Sequence, residues 1–190
     1  MNRSILDKAL SSAGLIVSVV LFGAAIGLQY THVFVHSQVR DQLAAQKITF
    51  PKADSEELNA LPAADKEEVG EFAGQQLLTG RQAKVFADNY IAVHLTKIGG
   101  GKTYSELSAA SLADPTNAKL AGQVQTVFRG ETLRGLLLNA YAFDTMAVVA
   151  GYAAIGALVA AFLTLGLSLL GYVHASRLAR EAKAKAKHRK

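Results

Sequence analysis

Residues 133–176, LRGLLLNAYAFDTMAVVAGYAAIGALVAAFLTLGLSLLGYVHAS, decide the fold. From Thr145 onward the run holds no Asp, Glu, Lys or Arg until Arg177. A hydrocarbon core about 30 Å thick is crossed by about 20 apolar helical residues, so this run is long enough to span a bilayer. One upstream stretch rivals it, because residues 9–39 also carry no formal charge. Between the two lies a polar, alanine-rich segment with room for one modest domain. The expected fold is an all-α membrane protein: two transmembrane helices joined by a helical extracytoplasmic domain. The expected boundaries are a cytoplasmic N-terminus at 1–8, transmembrane helix 1 at 9–35, the extracytoplasmic domain at 36–144, transmembrane helix 2 at 145–174 and a basic cytoplasmic tail at 175–190.

Composition agrees. The 190 residues are 51% hydrophobic and only 18% charged, which suits a small membrane protein with one polar loop. The absence of Cys excludes disulfides, a lipoprotein anchor, thiolate metal sites, covalent haem attachment and cysteine-ligated iron–sulfur clusters. With no Trp, the interfacial belt falls to Tyr30, Tyr141, Tyr152, Tyr172 and His32.

The net charge of +5 is unevenly placed. Residues 177–190 carry seven basic side chains against the single acid Glu181, whereas residues 40–144 hold 11 basic and 13 acidic residues. A basic run beside a span faces anionic headgroups of the cytoplasmic leaflet, which assigns Arg177, Arg180, Lys183, Lys185 and Lys187 to lipid contact and leaves nucleic acid out. The positive-inside rule then puts both termini in the cytoplasm of a multi-pass plasma-membrane protein. A cleaved signal peptide is the alternative for the N-terminus, since Gly23-Ala24-Ala25 resembles a cleavage site. The apolar run continues past it through Ile26, Leu28, Val33, Phe34 and Val35, which favours an anchor.

The two spans are expected to pack through small residues. Gly23 and Gly27 form a GxxxG pair, and Gly156, Ala160, Thr164 and Ser168 recur every fourth residue on the second span. Small side chains let helices in lipid approach closely enough for backbone contact.

The intervening segment reads as helical hairpins. Residues 36–47 continue the first span as a stem, and Lys47-Ile48-Thr49-Phe50-Pro51 is an extended stop, because a residue before Pro avoids the α region. Ser55 caps a brief helix ending near Leu61. Asp65 with Glu68 resembles a capping box for a helix reaching Thr79, with Gly80 at its C′ position. RQAKVFADNYIAVHLTKI is an amphipathic helix of about 18 residues with Val85, Phe86, Ile91, Leu95 and Ile98 inward. Gly99-Gly100-Gly101 ends it, Thr103 and Glu106 open the next, and Asp114-Pro115 caps a helix that enters the second span.

Few residues suggest chemistry. Gly101-Lys102-Thr103 invites a P-loop reading, but the first glycine of that motif is replaced by Thr96 and no apolar strand precedes it. A glycine turn followed by a capping box accounts for the same residues. His32 and His36 share a helical face at spacing i, i+4, a geometry suited to metal or haem, and His94 is a third candidate. Asp144 either lies inside the hydrocarbon, where it needs a partner and implies proton or ion handling, or sits just above it. No nucleophile is paired with a recognisable base, so the expectation is a non-enzyme with no catalytic residues and no resident cofactor.

At HSQVRDQLAAQKITFP (36–51), AGQQLLTGRQAKVFADNYIAVHL (73–95), GGGKTYSEL (99–107) and FRGETLRGLLLNAYAF (128–143), the chain resembles a family of small two-span membrane proteins of actinobacteria. That family is often catalogued under an aromatic ring-opening dioxygenase label. Such an enzyme needs non-haem iron on two His and one carboxylate. No motif of this chain matches that requirement, so no catalytic residue is carried over. In size and architecture the chain is also similar to accessory subunits of actinobacterial respiratory supercomplexes. The expected function is therefore a non-catalytic accessory or scaffold subunit that contacts membrane lipids and binds another integral membrane complex of the envelope or respiratory chain. Two alternatives remain open here: a redox, metal or haem protein using His32 and His36, and a membrane-anchored sensor.

Overall fold

The computed structural model describes residues 3–187, with side chains described for 5–181. Two long helices, α1 (Arg3–Gln46) and α7 (Ala118–Lys187), enclose five short ones in sequence. These are α2 (Glu56–Asn59), α3 (Ala63–Gly70), α4 (Gly80–Val85), α5 (Ala92–Gly99) and α6 (Tyr104–Ala113), with a π-helical turn, Phe86–Ile91, joining α4 to α5. No strand forms among the described residues, only an isolated antiparallel bridge between Thr49 and Gln76. The chain divides into two compact units: a helix pair of residues 1–33 and 148–190, and a domain of residues 34–147.

Both long helices are long and apolar enough to cross a membrane, with mean hydropathy 2.2 and 2.3 over their most apolar windows. Only 17% of each window is buried, unlike the core helix of a soluble domain. Within the pair the helices run antiparallel. The Ser11 side chain meets Gly171, Ser18 Oγ donates to the Ala161 carbonyl at 3.0 Å, and the His32 ring lies against Gly151. The buried positions step by seven: Ser11, Ser18 and Ala25 on α1, and Ala154, Ala161, Ser168 and Ala175 on α7. A seven-residue step drifts only about 20° around a helix, so it keeps one seam against a partner.

That seam corrects the expected one. A four-residue step advances about 40° each time at 3.6 residues per turn, so the series Gly156, Ala160, Thr164, Ser168 winds away from any straight contact. Of it only Ser168 is buried; Ala160 and Thr164 are half-buried and Gly156 is exposed. A Cβ added at Gly23, Gly27 or Gly156 would meet no other atom within 4 Å. Close approach comes instead at Gly14, where an added Cβ would collide with Ser168 Oγ.

The domain is built on the opposite plan, with Phe50, Leu58, Val69, Leu77, Leu137 and their neighbours buried in one cluster. Ser55 caps α2, as its sequence suggests. The next expected helix, 65–79, is not formed as read. α3 starts after Pro62 without a side-chain cap and ends at Gly70, and Asp65 instead accepts a hydrogen bond from Asn89 at 2.9 Å. Residues 75–77 run extended beside 48–50, with Phe50 N–H donating to the Gln75 carbonyl and Leu77 N–H to that of Ile48. Gly80 is accordingly the first residue of α4 rather than the stop of a helix. Thr79 and Gln82 form a capping box at that start, each side chain accepting the other's backbone N–H.

The amphipathic helix expected from residue 81 is present, but it contains the π turn. Ala83, Ala87, Ile91, Leu95 and Gly99 are all buried, an every-fourth series that a regular α-helix would carry out of register. The wider i→i+5 turn reverses the drift. Ile98, expected inside, is 37% exposed because Gly99 takes the buried position. Gly100 and Gly101 end the helix at φ 60° and 80°, the left-handed region glycine tolerates. Asp114 proves to be the C-cap of α6, and α7 is capped by Asn117, whose Oδ1 accepts the Leu120 N–H at 3.0 Å. From there α7 continues without a break to Lys187.

Candidate functional site

Three clusters of polar side chains stand out in the domain. The first is Asp144. Its Oδ1 accepts a hydrogen bond from His36 Nδ1 at 2.7 Å, and its Oδ2 accepts the Gly80 N–H at 3.1 Å. One carboxylate thus ties α1, the start of α4 and α7 together, with the Asp144 side chain only 14% exposed. Gly80 is required for this, since an added Cβ would lie 2.5 Å from the Asp144 Cβ. The partner that an uncharged setting would demand of Asp144 is therefore supplied within the domain. The sequence drew attention to His36 and Asp144 separately but gave no sign that Gly80 would join them.

The second cluster surrounds Asp88 on the π turn. Lys84 Nζ donates to Asp88 Oδ2 at 2.7 Å, and Arg134 Nη2 donates to Asp88 Oδ1 at 3.1 Å, while Arg134 Nη1 also reaches Glu131. Burial pushes the Asp88 carboxyl up, but the hydrogen bonds and charges of Lys84 and Arg134 outweigh it and hold it below its ordinary value. Lys84 is raised in turn, chiefly by its hydrogen bond to Asp88. Arg134 is pushed down by burial and raised above its usual range by Asp88 and Glu131. An aromatic run lies in the same domain: Phe72, Phe50, Phe86, Tyr90 and His94 follow one another at centroid spacings of 5.3, 5.2, 4.8 and 4.5 Å. Burial raises the Tyr90 phenol above its ordinary value.

The third is the Gly101-Lys102-Thr103 turn, which edges a cavity of about 190 Å³ together with Thr96, Glu131 and Arg134. Thr103 is committed to the capping box: its N–H and its hydroxyl both donate to Glu106 Oε2 at 2.8 Å, and its Oγ1 accepts the Glu106 N–H. The bond from the Thr103 backbone leads the causes that hold the Glu106 carboxyl below its usual range.

Of the candidate metal or haem ligands, His32 and His36 lie one turn apart on α1, where His36 engages Asp144, and His94 Nδ1 donates to the Tyr90 carbonyl at 2.7 Å. No group of three or more His, Asp or Glu side chains with metal-binding geometry occurs among the described residues.

In the helix pair, Arg177 and Arg180 border a cavity of about 310 Å³ with Tyr172, Val173 and Ser176. The Lys183, Lys185 and Lys187 side chains lie outside the described residues. The pairing residues that sequence reasoning missed are Ser11, Gly14, Ser18 and Gly171. Their signal was available, as Ser11-Ser18-Ala25 and Ala154-Ala161-Ser168-Ala175 are each spaced by seven.

No protein-family model, no curated protein and no solved structure matches the chain.

Proposed function

We propose that this chain is a non-catalytic accessory or scaffold subunit of a larger membrane complex of the envelope or respiratory chain. In this reading α1 and α7 cross the cytoplasmic membrane, both termini are cytoplasmic, and the domain of residues 34–147 stands outside. The observation that carries it is an apolar face left open on an otherwise well-packed domain. Phe128, Leu136, Phe143 and Met146, along one side of α7, are each between 50% and 59% exposed. Large apolar side chains gathered on one side of a folded domain suit burial against another protein. On the helix pair the exposed faces hold Ile16, Val20, Leu163 and Leu167, which suits lipid or a neighbouring helix.

Mild-detergent purification of the tagged full chain, followed by mass spectrometry, tests the proposal. A membrane complex should co-purify in fixed ratio, and Leu136→Glu with Phe143→Glu should release it. A chain that purifies alone, or that keeps its partner despite both changes, removes the basis for this reading. A visible absorption band or bound metal in the purified protein would favour the His32/His36 alternative instead. For topology, single cysteines at Ser55, Ser111 and Lys187 are probed in intact cells with a membrane-impermeant thiol reagent. Labelling is expected at the first two positions alone, and the reverse pattern inverts the topology.

A further inference from the structure

Along the last turns of the helix pair, Tyr172, Val173, Ser176, Arg177 and Arg180 share one face of α7 around the open cavity of about 310 Å³. Because α7 is continuous here, the two guanidinium groups are held by a helix rather than a loop. They lie three residues apart on one face, where like charges repel. Among the described residues no carboxylate is within ion-pair distance of either. In the domain, by contrast, Arg81 pairs with Glu71 and Arg134 with Asp88 and Glu131. The concavity is thus doubly cationic, and even exposed Glu181, on the same helix, makes no ion pair with either guanidinium among the described residues. The Tyr172 hydroxyl stands at its edge, fixed by a 2.6 Å hydrogen bond with Ser12, and Ser176 adds a second hydroxyl. Immediately before it on the same face, Leu169 and Val173 are half exposed and apolar.

We propose that this is a discrete site for the phosphodiester of an anionic glycerophospholipid, with Arg177 and Arg180 on the phosphate oxygens and an acyl chain along Val173 and Leu169. Arginine suits the role, since its planar fork matches phosphate oxygens where lysine offers a point charge. A free phosphate or a nucleic acid would use the same guanidinium groups but not the apolar flank. The proposal rests on the membrane reading above and narrows the general attraction of a basic tail to one saturable site.

The test uses the full chain in phosphatidylcholine nanodiscs into which phosphatidylglycerol is titrated, with bound lipid read by native mass spectrometry. Saturable retention of phosphatidylglycerol is expected. Arg177→Lys with Arg180→Lys keeps both charges and should weaken retention by about tenfold. Lys183→Gln, Lys185→Gln and Lys187→Gln together remove three charges and should weaken it less. If the Arg→Lys pair binds like wild type while the Lys→Gln triple loses the lipid, attraction is diffuse and the site is overturned. Competition by inorganic phosphate or a short oligonucleotide at concentrations matching the lipid would overturn it in favour of a soluble anion. Partner retention in the same preparations reads the accessory-subunit proposal separately: a chain that keeps its partner yet shows no phosphatidylglycerol preference overturns the lipid site alone.

Discussion

The helix pair and the domain bury opposite kinds of side chain. In the pair the seam is Ser11, Ser18, Ala25, Ala154, Ala161 and Ser168, and large residues such as Ile16 and Leu163 point outward. In the domain Phe50, Leu77 and Leu137 are inside, and every Lys or Arg pairing with a carboxylate among the described residues falls there. In water, burying large apolar side chains drives folding. Lipid tails are as apolar as leucine, so helices there gain by close backbone approach and hydrogen bonds instead. The domain is built on the first rule, and the small-residue seam of the pair is what the second would produce.

Four changes would break or sharpen this contrast. The largest effect is expected from truncation inside the domain: Leu137→Ala or Leu77→Ala should cost about 2–5 kcal/mol in denaturant unfolding. The same truncation at Leu163, which is 63% exposed on the pair, should cost next to nothing. Equal losses at the two sites would mean the two regions do not follow different rules.

Asp88→Asn should come next. It strips Arg134 of a charged partner while the Arg134 Nε is already buried without a hydrogen bond, so a loss of about 1–3 kcal/mol is expected. The sign with pH follows from the depressed Asp88 carboxyl. Its contribution is present above the unfolded carboxylate value of about 3.9 and is lost as pH falls through the lower folded value. The acid limb of the domain's stability should therefore flatten in the Asn variant, measured by circular dichroism across pH.

At the edge of the domain, Thr103→Ala should remove a cap and cost about 0.5–2 kcal/mol, with Lys102→Ala close to neutral. Loss of nucleotide binding on Lys102→Ala would instead revive the P-loop reading. The smallest effect on folding is expected at the exposed glycines of the pair. Gly14→Leu should force the helices apart at Ser168, whereas Gly27→Leu and Gly156→Leu should leave cysteine crosslinking between Ser11 and Gly171 intact. If the last two nevertheless release the partner complex in a pull-down, that small face serves a neighbouring helix and not this one.

Much of this was legible locally. The uncharged runs, the Ser55 and Thr103 caps and the triple-glycine stop depend on residues a few positions apart, and the structure places them as read. The failures share a cause. Asp65 and Asp114 looked like caps because their neighbours fit the pattern, but Asn89 claimed the first and the end of α6 the second. The pairing seam departs from the four-residue series because the choice between a four-residue and a seven-residue step depends on how another helix runs alongside, which α1 decides.

The sequence by itself determined that this protein is helical, that two of its helices are long and apolar enough to cross a membrane, and that its charge gathers at one end. Composition and short-range spacing are sufficient for those, since hydropathy and capping act within a few turns. Only the tertiary structure decided that Gly80 starts a helix, that a π turn holds Ala83 through Gly99 on one buried face, and that Asp144 binds His36 and the Gly80 N–H. The last of these joins residues from separate segments, 108 positions apart for His36 and Asp144, and the competition among partners is settled only when the segments meet.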